Sequence, residues 1–294
     1  MIDLLLPTVS QGLLWSLLAL GVYITFRVLD IADLTVEGSF PLGASVAVTL
    51  LVKDVNPVTA ILAAALAGGL AGVVTGLLHT KLRIPALLAG ILTMIALYSV
   101  NLRIMGKANV SLLGKETAFT LVESTLGVAY SQAVLLVGIL SCLLFSVLMY
   151  WFFGTEIGAA IRATGYNPQM IRAQGVDTNI MLLIGLFFSN ALVAVAGALV
   201  AQSNGFADVG MGVGTIVIGL ASVIIGEVLF GTRSFKNSLI SVILGSIVYR
   251  LVIAIVLQMG MPPNDLKLFT AVLVAIALSL PMVKGKFQSR KAGI

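Results

Sequence analysis

Apolar runs long enough to cross a lipid bilayer follow one another along almost the whole of this chain. A helix needs about 17 to 25 predominantly apolar residues to cross the hydrocarbon core. Nine runs meet that length, at residues 5–26, 36–52, 57–78, 85–103, 132–153, 180–202, 213–231, 237–259 and 266–283. Because a backbone in lipid must satisfy its own hydrogen bonds, we predict an all-α polytopic membrane protein with about 8 to 10 transmembrane helices.

The composition excludes several other classes of protein. Of the 294 residues, 59% are apolar and 10% are charged, far from the profile of a water-soluble domain. The single cysteine, Cys142, lies inside an apolar run, so no disulfide framework or cysteine metal site is available. The sequence has no H-E-x-x-H motif and no cluster of histidine and cysteine, and we therefore predict no catalytic residue and no metal site. Its charges describe topology, and we predict no nucleic-acid partner.

The distribution of Lys and Arg predicts which loops face the cytoplasm. If residues 154–178 are cytoplasmic, eleven of the seventeen basic residues fall on the same side, including those of the C-terminal tail. A layout of nine spans then places the C-terminus inside and the N-terminus outside. A tenth crossing, through a broken helix near residues 27–40, would put both termini inside. The opening MIDLLLPTVSQ has no basic stretch typical of a signal peptide, so we keep the first run as a span.

Residues 154–178, GTEIGAAIRATGYNPQMIRAQGVDT, interrupt the succession of apolar runs. Helix-terminating residues predict two short helices joined by a sharp turn. We expect the first to end at Gly165, in the left-handed conformation. Asn167 is predicted to cap the second, Pro168 to take its first position, and Gly175 to end it.

One face of the first short helix is predicted to be apolar. The side chains that share it through their i, i+3, i+4 spacing are Ile157, Ala160, Ile161 and Thr164. Glu156 and Arg162 point elsewhere. A short, rigid helix pair of this kind either inserts into a groove of another protein or rests on lipid headgroups at the membrane surface.

Three acids lie close together in RVLDIADLTVEGSF, between two apolar runs. A charge at the centre of a bilayer costs about 2.5 to 3.5 kcal/mol even on the lenient insertion scale, so these acids must face water, protein or a helix N-terminus. We favour capping over direct contact with a solute: Asp33 is expected to cap the helix that contains Glu37. Arg27 is close enough in sequence to pair with Asp30.

Two further charges lie within predicted spans, Glu227 in ASVIIGEVLF and Arg250 in SIVYRLVIA. Because an unpaired charge would be costly there, we predict that the two either pair with each other or reach the cytoplasmic boundary. A proton relay is the functional alternative.

Three separated segments together resemble one family. With residues 154–178, DLTVEGSFPLGA at 33–44 and GFADVGMGVGTIVIGLASVIIGE at 205–227 look like the membrane subunit of bacterial ABC importers of the branched-chain amino acid and ribose permease superfamily. Within it, the chain is most similar to the branch associated with tryptophan or tyrosine uptake. The resemblance implies a single transmembrane permease domain over residues 1–294, in the bacterial cytoplasmic membrane, that moves an amino acid, aromatic ones included, into the cytoplasm.

The same resemblance implies the partners. Such permeases work in pairs, here as a homodimer, in contact with lipid and fed by an extracytoplasmic substrate-binding protein. Each subunit offers its cytoplasmic helix pair to a cleft in an ABC ATPase. The residues that match this coupling segment are Thr155, Glu156, Ile157, Ala160, Ile161, Arg162, Thr164, Gly165, Asn167, Pro168, Arg172 and Gly175. No phosphate loop G-x-x-x-x-G-K-[ST] occurs in the chain, so ATP and Mg²⁺ are expected on the partner ATPase and no cofactor on this chain.

The translocation path is less sharply marked. SNGFADVGMG, at residues 203–212, is rich in turn residues and external in this topology. The candidates for a path or gate are Phe40, Leu42, Phe206, Asp208 and Met211. The glycines nearby either line a passage or only allow close helix packing. A different class, an ion-coupled secondary transporter, would carry acids such as Asp33 and Glu37 at broken helices near the midplane.

Overall fold

The structure is a computed structural model that describes residues 2–260, 262, 265, 268–272, 274 and 275. The predicted ninth span at residues 266–283 and the basic C-terminal tail lie largely outside these residues. The α-helices in the described part of the chain are α1 (Ile2–Tyr23), α2 (Val36–Val52), α3 (Pro57–Thr80), α4 (Ala86–Met105), α5 (Ala118–Leu126), α6 (Tyr130–Gly154), α7 (Glu156–Tyr166), α8 (Pro168–Ala173), α9 (Thr178–Asn204), α10 (Thr215–Phe230) and α11 (Phe235–Gln258).

Helices of membrane-spanning length dominate the fold. Seven helical segments in the described residues are long and apolar enough to cross a membrane, and α2, with 17 residues, is a shorter apolar helix. These eight elements coincide with the first eight predicted runs to within a few residues. The chain is therefore a multi-pass, all-α membrane protein, as the sequence predicted.

The two ends of the helix bundle carry different elements. One end, which we call the α7 face, holds α7 and α8. The other, the strand face, holds the strands β1 (Asn109–Ser111) and β2 (Phe206–Asp208), which pair antiparallel with Val110 opposite Ala207. Both a strand and a helix, β1 and α5, occur in the region 104–131, between two spanning helices.

The helix α9 connects the two faces and packs against α1, α2 and α3. Small residues make this packing close. A Cβ atom added at Gly43 would overlap the carbonyl oxygen of Ala194, and one added at Gly197 would overlap that of Phe40. These glycines therefore serve helix packing, one of the two roles that the sequence left open.

The helix α2 begins midway across the bundle. A π-helical turn at Ile24–Val28 ends the first span, and residues 29–35 are non-helical. Ser39, in the first turn of α2, donates to Asn190 across 2.7 Å. Asn190 lies about 18 Å along α9 at 1.5 Å per residue, which is close to its middle. The break that the sequence left open near residues 27–40 is thus present, as a segment that returns from the α7 face into the interior. It leads directly into α2 and adds no crossing of its own, unlike the tenth crossing considered from the sequence.

The helix α10 also begins at this depth. After a 3-10 turn at Val209–Gly212, the amide of Gly214 donates to Glu37 Oε1 across 3.0 Å. From there α10 runs to the α7 face, where Glu227 in its last turn meets Arg27 of the π-helical turn. The starts of α2 and α10 therefore meet inside the bundle.

Candidate coupling and translocation sites

The helix pair α7–α8 is built largely as its sequence predicts. The Thr155 hydroxyl accepts a hydrogen bond from the Gly158 amide across 3.2 Å and caps α7. Asn167 Oδ1 caps α8 by accepting from the Met170 amide across 3.0 Å, with Pro168 in first position. Gly175 follows α8 with a φ of 85°. The predicted roles of Asn167, Pro168 and Gly175 are confirmed.

Gly165 does not end the first helix, which continues to Tyr166. The prediction of a left-handed stop at Gly165 was therefore wrong. A Cβ atom at this position would overlap the carbonyl oxygen of Val28 and lie 2.9 Å from Leu29 Cα. Glycine is required here because α7 lies directly against the π-helical turn at the end of the first span.

The buried face of α7 differs in part from the predicted one. Ile161 and Thr164 are buried, as expected, and Gly158 joins them through the same spacing. Ala160 is half-buried, whereas Ile157 is 49% exposed and belongs to the outer face. The close approach of Gly158 to Phe153 turns this stripe toward α6.

The outer surface of α7–α8 is partly apolar. Tyr166 is 92% exposed, and Met170 and Ile157 are each about half exposed. Glu156 is exposed beside them, and the exposed residue Arg172 donates through Nε to the Thr178 hydroxyl across 2.6 Å. We call Ile157, Tyr166 and Met170 the outer apolar set.

Glu227 forms an ion pair with Arg27 and not with Arg250. Arg27 Nε lies 2.8 Å from Glu227 Oε1 and 3.0 Å from Oε2, and the Arg27 Nη2 atom also contacts Oε2. Of the two alternatives predicted for Glu227, pairing with Arg250 was therefore wrong, and Glu227 instead lies in the last turn of α10, at the α7 face. The possible pairing of Arg27 with Asp30 was also wrong. Gly226 packs against Ser241 of α11, so Arg250 lies about 13 Å further along that helix, beyond side-chain reach.

Arg250 instead lies over the ring of Trp15, with its guanidinium carbon 4.1 Å from the ring centroid. No carboxylate in the described part of the chain forms an ion pair with it. The face of an indole ring carries partial negative charge, which stabilises a cation placed over it. The ring of Trp15 thus stabilises the Arg250 cation, a role that the sequence analysis assigned to Glu227.

Asp33 is buried at the middle of the bundle, where it accepts hydrogen bonds from two residues. Its Oδ1 atom accepts from the Thr35 amide across 2.9 Å, and its Oδ2 atom accepts from Asn190 Nδ2 across 2.8 Å. The first bond caps the turn that begins α2, so the predicted capping role is confirmed. Asn190 also accepts from Ser39. Sequence reasoning missed Asn190, although the polar pair Ser189–Asn190 inside an apolar run was a usable signal.

Glu37 lies beside this network and is only half-buried. Its Oε1 atom accepts from the Gly214 amide, and its Oε2 atom receives no hydrogen bond from the residues that the structure describes. An ionisable group at this depth is expensive unless it faces protein or water. Among the described residues, Glu37 is therefore the one carboxylate near the starts of α2 and α10 with an oxygen that accepts no hydrogen bond.

The residues suggested for the path occupy different environments. Phe40 is fully buried, with its ring 5.2 Å from that of Trp15, and Leu42 packs with Ala71 and Leu97. Met211 is partly buried beside α2. At the strand face, Phe206 is 43% exposed and Asp208 caps the 3-10 turn by accepting from the Gly210 amide. Their roles in a path remain predictions.

Comparison with known proteins identifies the family of this chain. Residues 4–278 match the family described as branched-chain amino acid transport system / permease component. The chain belongs to this permease family. A tyrosine transport system permease protein of Clostridioides difficile is 40% identical over 275 residues, which cover 94% of this chain and 90% of the relative. The predicted recognition of the superfamily is thereby confirmed.

More distant relatives agree with the family. The ribose import permease protein of Escherichia coli K12 is 25% identical over 220 residues, or 74% of this chain and 66% of the relative. A solved structure of a metal-chelate type ABC transporter in an inward-facing conformation covers 96% of this chain with a TM-score of 0.51 and 14% identity, over 85% of its own chain. At that identity the likeness shows the permease fold alone.

Proposed function

We propose that this chain is the permease subunit of a binding-protein-dependent ABC importer that moves an aromatic amino acid into the cytoplasm. The identity of 40% to a tyrosine transport permease, along nearly the full length of both chains, supports this class of substrate. ATP and Mg²⁺ are bound by a separate ATPase subunit. The protein works as a homodimer in the bacterial cytoplasmic membrane, with the α7 face and the C-terminus in the cytoplasm.

The contact of Gly165 with Val28 supports a route by which ATP hydrolysis in the partner subunit moves the spanning helices. The outer apolar set on α7–α8 contacts the ATPase, and the buried face of α7 presses on the π-helical turn. That turn carries Arg27, which is bound to Glu227 of α10. The start of α10 in turn bonds to Glu37. A displacement of α7 is thus passed through contacts of van der Waals and hydrogen-bond length to the middle of the membrane.

The strand face receives the substrate-binding protein. We assign two residues of β2, Phe206 and Asp208, as its contacts. Further into the bundle, α2 and the 3-10 turn carry Phe40, Leu42 and Met211. Opening of the path requires α10 to move relative to α2. The half-buried Glu37 lies at that boundary.

The proposal is tested by uptake of labelled tyrosine into vesicles that contain the permease, the ATPase and the binding protein. We expect uptake only when all three proteins and ATP are present. The available oxygen of Glu37, between two helix starts, favours ion coupling as a second candidate function. Uptake by the permease alone, driven by a proton or sodium gradient without ATP, would establish that second function and reject the first.

A further inference from the structure

A basic cavity of about 660 Å³ lies at the α7 face, where α6 ends and α7 and α11 begin. Two cations line it, Arg162 of α7 and Lys236 of α11. Two hydroxyl-bearing caps, Thr155 and Ser234, line it as well. We call this space the basic cavity.

An apolar crevice adjoins the basic cavity on the side of the bilayer core. It has a volume of about 290 Å³ and is lined by side chains of α3, α6 and α9 with Ile24 of the π-helical turn. Trp151 and Phe153 line both spaces, so the crevice and the cavity adjoin at these two rings. Its lining is almost entirely apolar, in contrast to that of the basic cavity.

The two cations of the basic cavity are exposed and form no ion pair with the described residues. The ion pairs of the described residues join Arg27 to Glu227 and Lys115 to Asp54, and neither includes Arg162 or Lys236. The Arg162 guanidinium lies 5.6 Å from the centroid of the Phe235 ring, which holds it against α11. The beginnings of α7 and α11 add the partial positive charge of helix N-termini to the same space.

We infer that the basic cavity and the apolar crevice together form a binding site for one anionic phospholipid. The phosphate lies between Arg162 and Lys236, and an acyl chain enters the crevice past Trp151. Charge complementarity selects an anion, and the adjoining crevice selects an anion that carries a hydrocarbon chain over free phosphate. Trp151 and Tyr150 occupy the end of a spanning helix, where aromatic side chains commonly meet lipid headgroups.

The two tryptophans of the chain allow a direct test. With Trp15 replaced by Phe, Trp151 becomes the sole tryptophan reporter, and bromine on a lipid acyl chain quenches its fluorescence on contact. The permease is placed in vesicles of equal parts phosphatidylglycerol and phosphatidylcholine, with bromine on the chains of either one or the other. The two membranes have the same composition, so a difference in quenching reports which lipid occupies the site.

We expect brominated phosphatidylglycerol to quench Trp151 more strongly than brominated phosphatidylcholine. Each basic side chain near a membrane surface favours an anionic lipid roughly fivefold, so the preference should be large. The double variant Arg162→Gln and Lys236→Gln should bring the two signals close together, whereas Arg162→Lys should retain most of the preference. Arg233→Gln is the matched control, because Arg233 is exposed in the loop just before α11 and does not line the cavity.

Equal quenching by the two lipids in the parent protein would overturn the inference, because the site would then not select an anionic headgroup. Absence of quenching by either lipid would also overturn it, because no acyl chain would then contact Trp151. A preference that survives in the Arg162 and Lys236 double variant would also contradict it. Filling the crevice through Ala191→Phe should weaken quenching by phosphatidylglycerol and leave quenching by phosphatidylcholine less affected.

Discussion

Arg27 and Glu227, 200 residues apart in sequence, form the ion pair that joins the end of the first span to the end of α10. The Arg27 side chain is 47% exposed and that of Glu227 only 12%. Solvent therefore screens the pair on one side, and its contribution to the free energy of unfolding is modest. Its importance lies in which helices it connects, because α7 presses on the turn that carries Arg27.

The ion pair predicts a coupling energy between two mutations. Removing either charge through Arg27→Gln or Glu227→Gln should lower stability, and the double variant should lose less than the sum, with a coupling of about 0.5 to 1 kcal/mol. Reversible unfolding in detergent measures it. The matched cycle of Glu227→Gln with Arg250→Gln should be additive, since those residues make no contact. Additivity in the Arg27 cycle would reject the pairing.

The position of Gly165 predicts a severe effect of a single methyl group. Gly165→Ala would place a Cβ atom against the Val28 carbonyl and force α7 away from the π-helical turn. Overpacking of this kind costs about 1 to 3 kcal/mol, and ATP-dependent tyrosine uptake should fall more than the amount of folded protein. Gly154→Ala is the control, because a Cβ there meets nothing within 4 Å. Normal uptake in Gly165→Ala would show that this contact does not transmit coupling.

The outer apolar set predicts a binding defect without a folding defect. Tyr166→Ser combined with Met170→Ser removes exposed side chains, so the free energy of unfolding should change by less than about 0.5 kcal/mol for each. Capture of the ATPase by the purified permease should be strongly reduced. Leu82→Ser, a 65% exposed apolar residue in a different loop, should leave capture intact. Undiminished capture in the double variant would move the ATPase contact away from α7–α8.

The buried network around Asn190 predicts a large loss of stability. Asn190→Leu leaves the Oδ2 atom of Asp33 and the Ser39 hydroxyl without a hydrogen-bond partner, while Asp33 Oδ1 keeps its bond from the Thr35 amide. Each buried polar group left without its hydrogen bond costs about 1 to 3 kcal/mol, and a charged one costs more. Ser222→Ala is the control, since among the described residues that hydroxyl bonds only to Ile218 of its own helix. If both variants unfold at the same denaturant concentration, the network contributes little.

Local features of the fold could be predicted from the sequence, because their causes lie within a few residues. Of the nine apolar runs, the first eight coincide with helices in the described residues, and Asn167 and Pro168 predicted the start of α8. Asp33 was recognised as a cap for the same reason: its first partner, Thr35, is two residues away.

Features that depend on how helices pack could not be predicted in this way. The second partner of Asp33 is 157 residues distant, on a helix whose rotation the sequence does not reveal. Whether Glu227 can reach Arg250 depends on the register between α10 and α11, which is set where Gly226 meets Ser241. Gly165 was read as a helix stop because that role is common for glycine. Its real cause, the approach of Val28, is visible only in three dimensions.

The non-helical residues 29–35 restrict how the protein can move. Asp30 and Ala32 are exposed, but Asp33 and Thr35 are buried, and the backbone there has no water available from the lipid, so neighbouring helices must cover it throughout a transport cycle. Thr35 bonds to Thr75 of α3, Gly90 of α4 packs against the same backbone, and Asp33 bonds to Asn190 of α9. We therefore expect α2, α3, α4 and α9 to move together, and the motion that opens the path to occur between them and α1, α6, α10 and α11.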